Sequence, residues 1–290
     1  MSRLRRGVVI LPEDRWEIAR KTWQRAEDMG FDHAWTYDHV VWRWLRDKPW
    51  FGAVPTLTAA ATVTSAIRLG VLVASPGLRN PAAFAKEMTT IDDISGGRAM
   101  CGVGAGGYDA DLLRAEPMSS AERAARFAEF VAVTATLLPG GSLDHRGTYY
   151  TGRDLALVPA SGMPLAIAAG GPRAMRLAAR YADVWVTSGT PNGFDAVPYQ
   201  AAVPALRAQV RALEAACAEV GREPSTLDRL LLTGASVGGV LDSAEAFSDA
   251  EGRFAELGFT DVVVHWPRPE FPFEGDVAVL ESIAERNSPC

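Results

Sequence analysis

The segment Gly30-Phe31-Asp32-His33-Ala34-Trp35-Thr36-Tyr37-Asp38-His39 joins the end of a predicted helix to a short apolar strand. The glycine is placed to end the helix, and residues 33–36 form the strand. Shortly after the strand ends, the chain carries an acid and an imidazole, Asp38 and His39. In a (β/α)8 barrel the chemistry lies at the carboxyl ends of the parallel strands. The segment therefore predicts such a barrel, with Asp38 and His39 at its mouth.

The same rhythm of strand and helix repeats along the chain. We predict eight strands, over residues 8–11, 33–36, 67–74, 99–103, 164–168, 183–187, 230–233 and 261–264. Helical stripes at a spacing of three and four residues follow them. This alternation predicts a parallel sheet. Eight units in 290 residues favour a closed TIM barrel over an open sheet, and no Gly-x-Gly-x-x-Gly motif follows the first strand.

The predicted domain organisation is a single α/β domain over residues 1–290 with one small insertion. Residues 144–151 follow the fourth helix and contain Gly147, so we expect a turn or hairpin there. The composition, 48% hydrophobic and 22% charged, is that of an ordinary globular protein.

Charge and cysteine content argue against several classes of function. The net charge of −6 argues against general nucleic-acid binding. No apolar run approaches the roughly 20 residues of a membrane helix, and we expect a cytoplasmic protein. The three cysteines, Cys101, Cys217 and Cys290, form no CxxC motif or Cys/His cluster. We therefore expect neither a metal site nor a disulfide framework.

Two glycine-rich strand ends are further candidates for a site. The run from Gly102 to Gly107 follows the fourth strand and indicates either close approach of backbone to a flat ligand or tight barrel packing. Gly170 and Gly171 precede a helix, whose N-terminus would favour an anion. Arg173 could add a positive charge there, with Ser188 on the next strand end beside it. The alternative is a glycine turn with a solvated arginine.

An aromatic segment after the second strand supplies candidate substrate contacts. Trp42, Trp44, Trp50 and Phe51 are interleaved with charged residues, and we interpret them as an exposed lid over an apolar substrate. A packed loop is the alternative. His265 follows the last strand and is a second candidate for the mouth of the barrel.

Taken together, these segments resemble the bacterial luciferase-like flavin and deazaflavin oxidoreductases, in particular the branch that uses coenzyme F420. The matching stretches cover nearly the whole chain. They are residues 30–39, Leu69 to Pro81, Ser95-Gly96-Gly97-Arg98 with Gly102-Val103-Gly104, and Gly170-Gly171-Pro172-Arg173 with residues 178–183.

The resemblance implies a flavin-like ring at the barrel mouth, with His39 near the redox carbon as the catalytic residue. It also implies a non-proline cis peptide between Leu72 and Val73 that supports the ring, and a phosphate held at Gly170, Gly171 and Arg173. The implied cofactor contacts are Asp38, Leu72, Val73, Ser75, Gly104, Ala105, Gly106, Gly107, Ala169, Gly170, Gly171, Arg173 and Ser188. Homodimers are common among such proteins, so we expect one here, through the early barrel helices.

Two departures from the family pattern bear on the substrate. Sugar-phosphate dehydrogenases of this family carry a glutamate where this chain has Gly107, and a tryptophan where it has Arg43. Their absence argues against sugar-phosphate oxidation. We therefore expect a reductase that delivers hydride to a polarised C=C or C=N bond of a small metabolite or modified peptide. The alternatives are an FMN-dependent monooxygenase and a catalytically silent flavin-binding subunit.

Overall fold

The computed structural model describes residues 3–107, 112–114, 116–189 and 195–286. Eight parallel strands close into a barrel in the order β1-β12-β10-β8-β7-β4-β3-β2. The barrel strands are β1 (Arg5–Val9), β2 (His33–Thr36), β3 (Arg68–Val71), β4 (Ala99–Val103), β7 (Leu165–Ala168), β8 (Val184–Thr187), β10 (Asp228–Leu232) and β12 (Asp261–His265).

Helices surround the barrel and bury their apolar stripes against it. Those in the described part of the chain are α1 (Trp16–Asp28), α2 (Ala53–Ala61), α3 (Pro81–Ser95), α4 (Ser120–Leu137), α5 (Pro172–Tyr181), α6 (Tyr199–Val220), α7 (Ala244–Glu256) and α8 (Val277–Glu285). None of these is both long and apolar enough to cross a membrane. Local sequence signals set several ends, such as Asn80, whose side chain accepts bonds from two N–H groups of α3.

The predicted (β/α)8 barrel is confirmed, and the predicted insertion lies where expected. It is a hairpin of β5 (Ser142–Arg146) and β6 (Thr151–Ala156). Two short strands, β9 (Val197–Pro198) and β11 (Val237–Gly238), pair outside the barrel. The first strand begins earlier than predicted, because Arg5 and Arg6 also pair with β12. A charged residue fits at that end because Arg5 reaches a carboxylate.

That carboxylate, Asp261, is the centre of a buried polar network at the amino ends of the strands. Arg5 donates two hydrogen bonds to it, of 2.8 and 2.7 Å. The Nε2 atom of His33 lies 3.0 Å from the same carboxylate, and the indole of Trp35 donates to Nδ1 of His33 at 2.7 Å. Nδ1 must then be an acceptor, so the ring carries its proton on Nε2 and donates to Asp261.

A glycine makes room for this network. Gly7 of β1 is in register with His33 of β2, and a Cβ atom on it would lie 2.1 Å from the Cε1 atom of His33. No side chain larger than hydrogen fits there. His33, buried at the end of the barrel opposite the mouth, thus has a structural role, which agrees with its position at the start of a strand.

The network makes stability depend on pH in a defined direction. Burial would raise the pKa of Asp261, but hydrogen bonds from Arg5 and His33 hold it well below its ordinary value. A group with a lowered folded-state pKa stabilises above its unfolded pKa, about 3.9, and that contribution is lost as the pH falls towards the folded-state pKa. We expect Asp261→Asn to lower the free energy of unfolding at pH 7 by about 2–3 kcal/mol.

Urea denaturation of wild type and Asp261→Asn at pH 7, 5 and 3 tests this prediction. The variant should lose less stability between pH 5 and pH 3 than wild type does. Asp28→Asn, at an exposed position on α1, serves as the control. Parallel pH profiles for wild type and Asp261→Asn would contradict the assignment.

Candidate active site

A cavity of about 590 Å³ opens at the carboxyl ends of the barrel strands. Most of its wall is formed by residues at or just beyond the carboxyl ends of β2, β3, β4, β7, β8 and β10, and the helices α5 and α6 contribute one side chain each. They are Tyr37, Asp38, His39, Trp42, Arg43, Leu72, Val73, Ser75, Gly104, Ala105, Gly106, Gly107, Ala168, Ala169, Gly170, Gly171, Ala174, Val186, Thr187, Ser188, Gln209, Leu232, Ala235 and Ser236.

The cavity brings most of the sequence-predicted site residues together. The predicted residues that line it are Asp38, His39, Trp42, Leu72, Val73, Ser75, Gly104, Ala105, Gly106, Gly107, Ala169, Gly170, Gly171 and Ser188. The residues predicted from the sequence that lie outside this wall are Arg173, Trp44, Trp50, Phe51 and His265. Residues distant in the chain thus converge on one space because parallel strands deliver their carboxyl ends to one rim.

Asp38 is held by an ion pair. Its side chain is buried, and both carboxylate oxygens accept hydrogen bonds from the guanidinium of Arg79, at 2.7 and 2.9 Å. The pair joins the end of β2 to the loop that leads into α3. Arg79 also lies 3.4 Å from Glu87. Since both oxygens of Asp38 are occupied by one cation, its carboxylate fixes the wall of the cavity and its negative charge is compensated.

His39 is the acid–base group that faces the cavity. Its ring is half-buried and packs edge-on against Tyr37, with 5.8 Å between centroids. Trp50 lies on another side, at 6.2 Å. Aromatic contacts on two sides restrict the rotation of the imidazole while one edge remains at the cavity. An imidazole placed in this way is a candidate for acid–base chemistry.

The third and fourth strand ends form an apolar, backbone-rich wall. The peptide bond between Leu72 and Val73 is cis, as the resemblance implied. Gly104 lies directly opposite, and a Cβ atom there would come within 2.5 Å of the Val73 side chain. Tight packing therefore explains Gly104. Gly107 faces open space, so the outer part of the glycine run leaves the cavity accessible.

The fifth and sixth strand ends present backbone groups. Helix α5 begins after Gly171, and no side chain caps its N-terminus, which opens beside Gly170 in the cavity wall. The turn after β8 is fixed by Gln209, which donates from Nε2 to the carbonyl of Gly189 at 2.9 Å. The hydroxyl of Thr187 also donates to the Gln209 side-chain oxygen. Free helix N–H groups and the helix dipole favour an anion at this rim.

Arg173 follows the rim residues Gly170 and Gly171 in the chain but lies outside the cavity. It is exposed on α5 and lines a separate cleft on the outer surface of the barrel. The expectation that it joins the two glycines in one pocket is therefore wrong for the arrangement seen here. The reason is helical geometry: Pro172 starts α5, and the next side chain already points outward, whereas Ala174 faces the cavity.

The expected exposed aromatic lid is also wrong. Trp42 is buried and stacks against Trp50 and Phe273, with centroids 5.9 and 5.6 Å apart. Trp44 packs edge-on against Trp42. The 42–50 segment is thus a packed loop that forms one side of the site. Phe51, which follows it, is 43% exposed. Charged neighbours in the sequence suggested exposure, but the indoles turn inward to pack on one another.

His265 is buried behind the cavity wall. Its Nε2 atom lies 2.6 Å from the hydroxyl of Tyr37, and its ring stacks on Phe273. Burial lowers the pKa of His265 to about 3 and raises the pKa of Tyr37. The imidazole is therefore neutral and accepts the phenol proton in a hydrogen bond. The predicted substrate contact at His265 is wrong, since Tyr37 stands between it and the cavity.

Several residues of the wall or its support were not assigned a role from the sequence, and four of them bear on its geometry. Arg79, in the loop that leads into α3, is the partner of Asp38. Tyr37 immediately precedes the acid–imidazole pair. The alternation of side chains after the strand did not indicate whether Tyr37 or Asp38 faces the cavity. Gln209 lies inside a helix, and Arg43 in the aromatic loop; neither has a local pattern that would indicate the cavity.

The cysteines take no part in this site. Cys101 is buried in β4, and burial raises the pKa of its thiol to about 12. Cys217 is buried on α6. Both are unreactive thiols at neutral pH. Cys290 lies outside the described residues.

A (β/α)8 barrel with one imidazole, a compensated carboxylate and a helix N-terminus around a cavity at its mouth has the form of an enzyme of the TIM-barrel class. The profile of the luciferase-like monooxygenase family matches residues 4–267. The chain belongs to this family.

Individual relatives agree with this assignment. An F420-dependent glucose-6-phosphate dehydrogenase of Beutenbergia cavernae is 36% identical over 180 residues, which cover 57% of this chain and 50% of the relative. A 5,10-methylenetetrahydromethanopterin reductase of Methanopyrus kandleri is 28% identical over 281 residues, covering 91% and 75%. The chain spans about half the length of the first of these.

Solved structures show the same fold. An F420-dependent secondary alcohol dehydrogenase in complex with an F420-acetone adduct superposes with a TM-score of 0.81 at 20% identity and covers 98% of each chain.

The Asp38–Arg79 pair gives a test of how the wall is held. Arg79→Met leaves a buried carboxylate without its cation, so we expect a loss of about 2–3 kcal/mol in the free energy of unfolding, reduced from the fully buried case because Arg79 is partly exposed. In the double variant with Asp38→Asn the loss should be smaller than the sum of the single losses.

Urea denaturation of the four proteins of this cycle measures the coupling. Glu87→Gln, which removes only the 3.4 Å contact of Arg79, is the control and should change stability by less than about 0.5 kcal/mol. Additive losses in the cycle would contradict the role given to this pair.

Proposed function

We propose that this protein is a coenzyme F420-dependent oxidoreductase that reduces a polarised C=C or C=N bond. The observation that carries the proposal is the convergence, in one cavity, of His39, an apolar backbone wall and an uncapped helix N-terminus. The relatives named for F420-dependent dehydrogenation and methylene-tetrahydromethanopterin reduction support the choice of cofactor.

The residues of the cavity fit a flat ring attached to a phosphate. Leu72 and Val73 offer an apolar surface, and Gly107 leaves space beside it. The rim at Gly170 and Gly171 offers backbone donors, and a positive dipole end, to a phosphate. An apolar face and an anion site in one cavity match the two chemical halves of a deazaflavin nucleotide. Ser75, Ala105, Ala169 and Ser188 would contact it along the wall.

When bound in its reduced form, coenzyme F420 supplies a hydride. The protein has to orient the acceptor, exclude water and supply the proton for the other atom of the double bond. His39 is the group placed for that proton, directly or through one water. Asp38, engaged by Arg79, maintains the position of the His39 backbone. Fixed geometry accounts for most of the remaining rate.

The acceptor proposed is a small metabolite or a modified peptide without a phosphate group. Gly107 and Arg43 replace the glutamate and tryptophan of the sugar-phosphate dehydrogenases, so the acid–base pair of that reaction is incomplete. The cavity wall includes Tyr37 and Trp42, which suit an apolar or unsaturated acceptor. The relative named as a glucose-6-phosphate dehydrogenase is matched over about half its length, so its name does not assign a sugar phosphate to this chain.

Cofactor choice is the first test. We expect the apo-protein, produced in a host that lacks coenzyme F420, to bind the deazaflavin at least about tenfold more tightly than FMN. Fluorescence titration with each cofactor measures the two affinities. Preference for FMN, together with oxygen consumption in the presence of reduced FMN, would overturn the proposal in favour of a monooxygenase, because a reduced flavin reacts with oxygen readily and a deazaflavin hardly does.

The role of His39 is tested by substitution. We expect His39→Ala to lower the rate of hydride transfer by about a hundredfold or more, as for a general acid, while the affinity for the deazaflavin changes by less than about threefold. Reoxidation of reduced coenzyme F420 with cyclohexenone or a cyclic imine as probe measures the rate. His145→Ala, on the hairpin away from the cavity, is the control. Full activity of His39→Ala with a reducible probe would remove His39 from the mechanism.

A further inference from the structure

Six aromatic side chains beside the cavity form a closed series of ring contacts, which we call the aromatic circuit. In the order in which they touch, its members are His39, Tyr37, His265, Phe273, Trp42 and Trp50, and the last contacts the first again. Neighbouring ring centroids lie between 3.4 and 6.2 Å apart. His39, Tyr37 and Trp42 line the cavity, so the circuit connects the cavity wall to the side chains behind it.

A hydrogen bond ties two members of the aromatic circuit together. The phenol of Tyr37 donates to Nε2 of His265 at 2.6 Å, and the two rings meet edge-on, with 5.7 Å between centroids. Burial lowers the pKa of His265 to about 3, so its imidazole is neutral and able to accept. Because the hydroxyl lies at the far end of the side chain from the backbone, this bond fixes the direction of the whole Tyr37 ring.

His265 is itself held from behind. Its ring stacks on Phe273, with centroids 3.4 Å apart and planes inclined by 12°. The turn after β10 closes against both rings, since a Cβ atom on Gly234 would lie 2.7 Å from Nδ1 of His265 and 3.2 Å from the ring of Phe273. The imidazole that accepts the Tyr37 bond therefore has no space to move away from it.

Phe273 is fixed in turn by the loop 267–275, which follows β12. Buried Arg268 donates to both carboxylate oxygens of Glu13, at 2.5 and 2.9 Å, and to the carbonyl of Pro272 at 3.0 Å. The backbone N–H of Arg268 donates to the carbonyl of Phe273 at 2.9 Å. This bidentate ion pair fastens the loop to the segment after β1, so the far side of the aromatic circuit is part of the rigid barrel.

We propose that Tyr37 and His265 are positioning residues for His39. The hydrogen bond between them holds the phenol ring as a fixed surface, and the imidazole of His39 packs on the edge of that surface, with 5.8 Å between centroids and 85° between planes. The orientation of the imidazole at the cavity is thereby set from the other end of the circuit. The effect on rate rests on the proposed function, whereas the order of the His39 ring can be measured without cofactor or acceptor.

The first experiment measures how ordered the His39 ring is in the full chain without ligand. NMR relaxation of histidine labelled with ¹³C at Cε1 reports on the four histidines of the chain, and His39→Ala identifies the signal of His39. We expect an order parameter of about 0.8 in wild type and about 0.6 or less in Tyr37→Phe, which keeps the ring and loses the hydroxyl. An unchanged order parameter in Tyr37→Phe would overturn the inference.

Tyr199→Phe is the matched control. Tyr199 is also buried, and its hydroxyl donates to Asp249 at 2.8 Å, but it lies outside the wall of the cavity. Its substitution should leave the order parameter of His39 at the wild-type value. If Tyr199→Phe lowers it as much as Tyr37→Phe does, the change is a general loosening of the barrel and the inference is wrong.

The second experiment measures the consequence for rate. We expect Tyr37→Phe to lower kcat for reoxidation of reduced coenzyme F420 by cyclohexenone about tenfold, because a poorly oriented proton donor is less effective. The KM for cyclohexenone should change by less than about twofold. In the His39→Ala background the same substitution should lower kcat no further, since the group that it positions is gone. A tenfold fall in both backgrounds would show that Tyr37 acts independently of His39 and would contradict the proposal.

Substitution of His265 tests the other partner of the hydrogen bond. His265→Leu removes the acceptor and should reproduce both effects of Tyr37→Phe. His265→Gln retains an oxygen that can accept near the position of Nε2, so it should keep most of the order of His39 and most of the wild-type kcat. Equal behaviour of the two variants would remove the hydrogen bond from the argument. If wild type oxidises no reduced coenzyme F420 with any acceptor, the proposed function fails, and the order parameters still decide the positioning role.

Discussion

The pairing of β1 with β12 is the constraint on which the site depends. It joins the two ends of the chain into one ring of hydrogen bonds, over Arg5–Val9 and Asp261–His265. Only after this closure do the ends of strands distant in the chain, such as Thr36 of β2 and Leu232 of β10, share a rim. Closure of so non-local a ring has a loop-entropy cost, and the buried Asp261 network at its base fastens β1, β2 and β12 to one another.

The two ends of the barrel handle buried charge in opposite ways. At the base, Asp261 accepts from Arg5 and His33 and is enclosed, so the charge serves stability alone. At the mouth, the buried Asp38 is compensated by Arg79, which remains partly exposed. Its neighbour His39 faces the cavity among aromatic rings. The barrel thus pairs its buried carboxylates with cations and places the imidazole of His39 at the cavity.

Most of the fold and much of the site followed from local patterns in the sequence. Hydrophobic periodicity and the placement of glycines predicted eight strand–helix units, because these signals reflect the local backbone conformation. The rim residues followed because parallel strands end at one edge. The errors concern side-chain direction. Trp42 turns inward although charges flank it, His265 is screened by Tyr37, and Arg173 points away from the cavity that Ala174 faces. Each depends on contacts with residues distant in the chain, which no local pattern records.

The contrast between Asp38 and His39 shows how partners, more than residue type, assign chemistry. From the sequence they are an adjacent acid and imidazole, and the family resemblance implies a cofactor contact for Asp38 and a catalytic role for His39. In the fold, consecutive residues beyond a strand point in different directions, so Asp38 meets the guanidinium of Arg79 and His39 meets the cavity. Both oxygens of the Asp38 carboxylate accept hydrogen bonds from that guanidinium, which ties the end of β2 to the loop that leads into α3. The acid is thus part of the frame that positions its neighbour, and this arrangement supports the proton-transfer role proposed for His39.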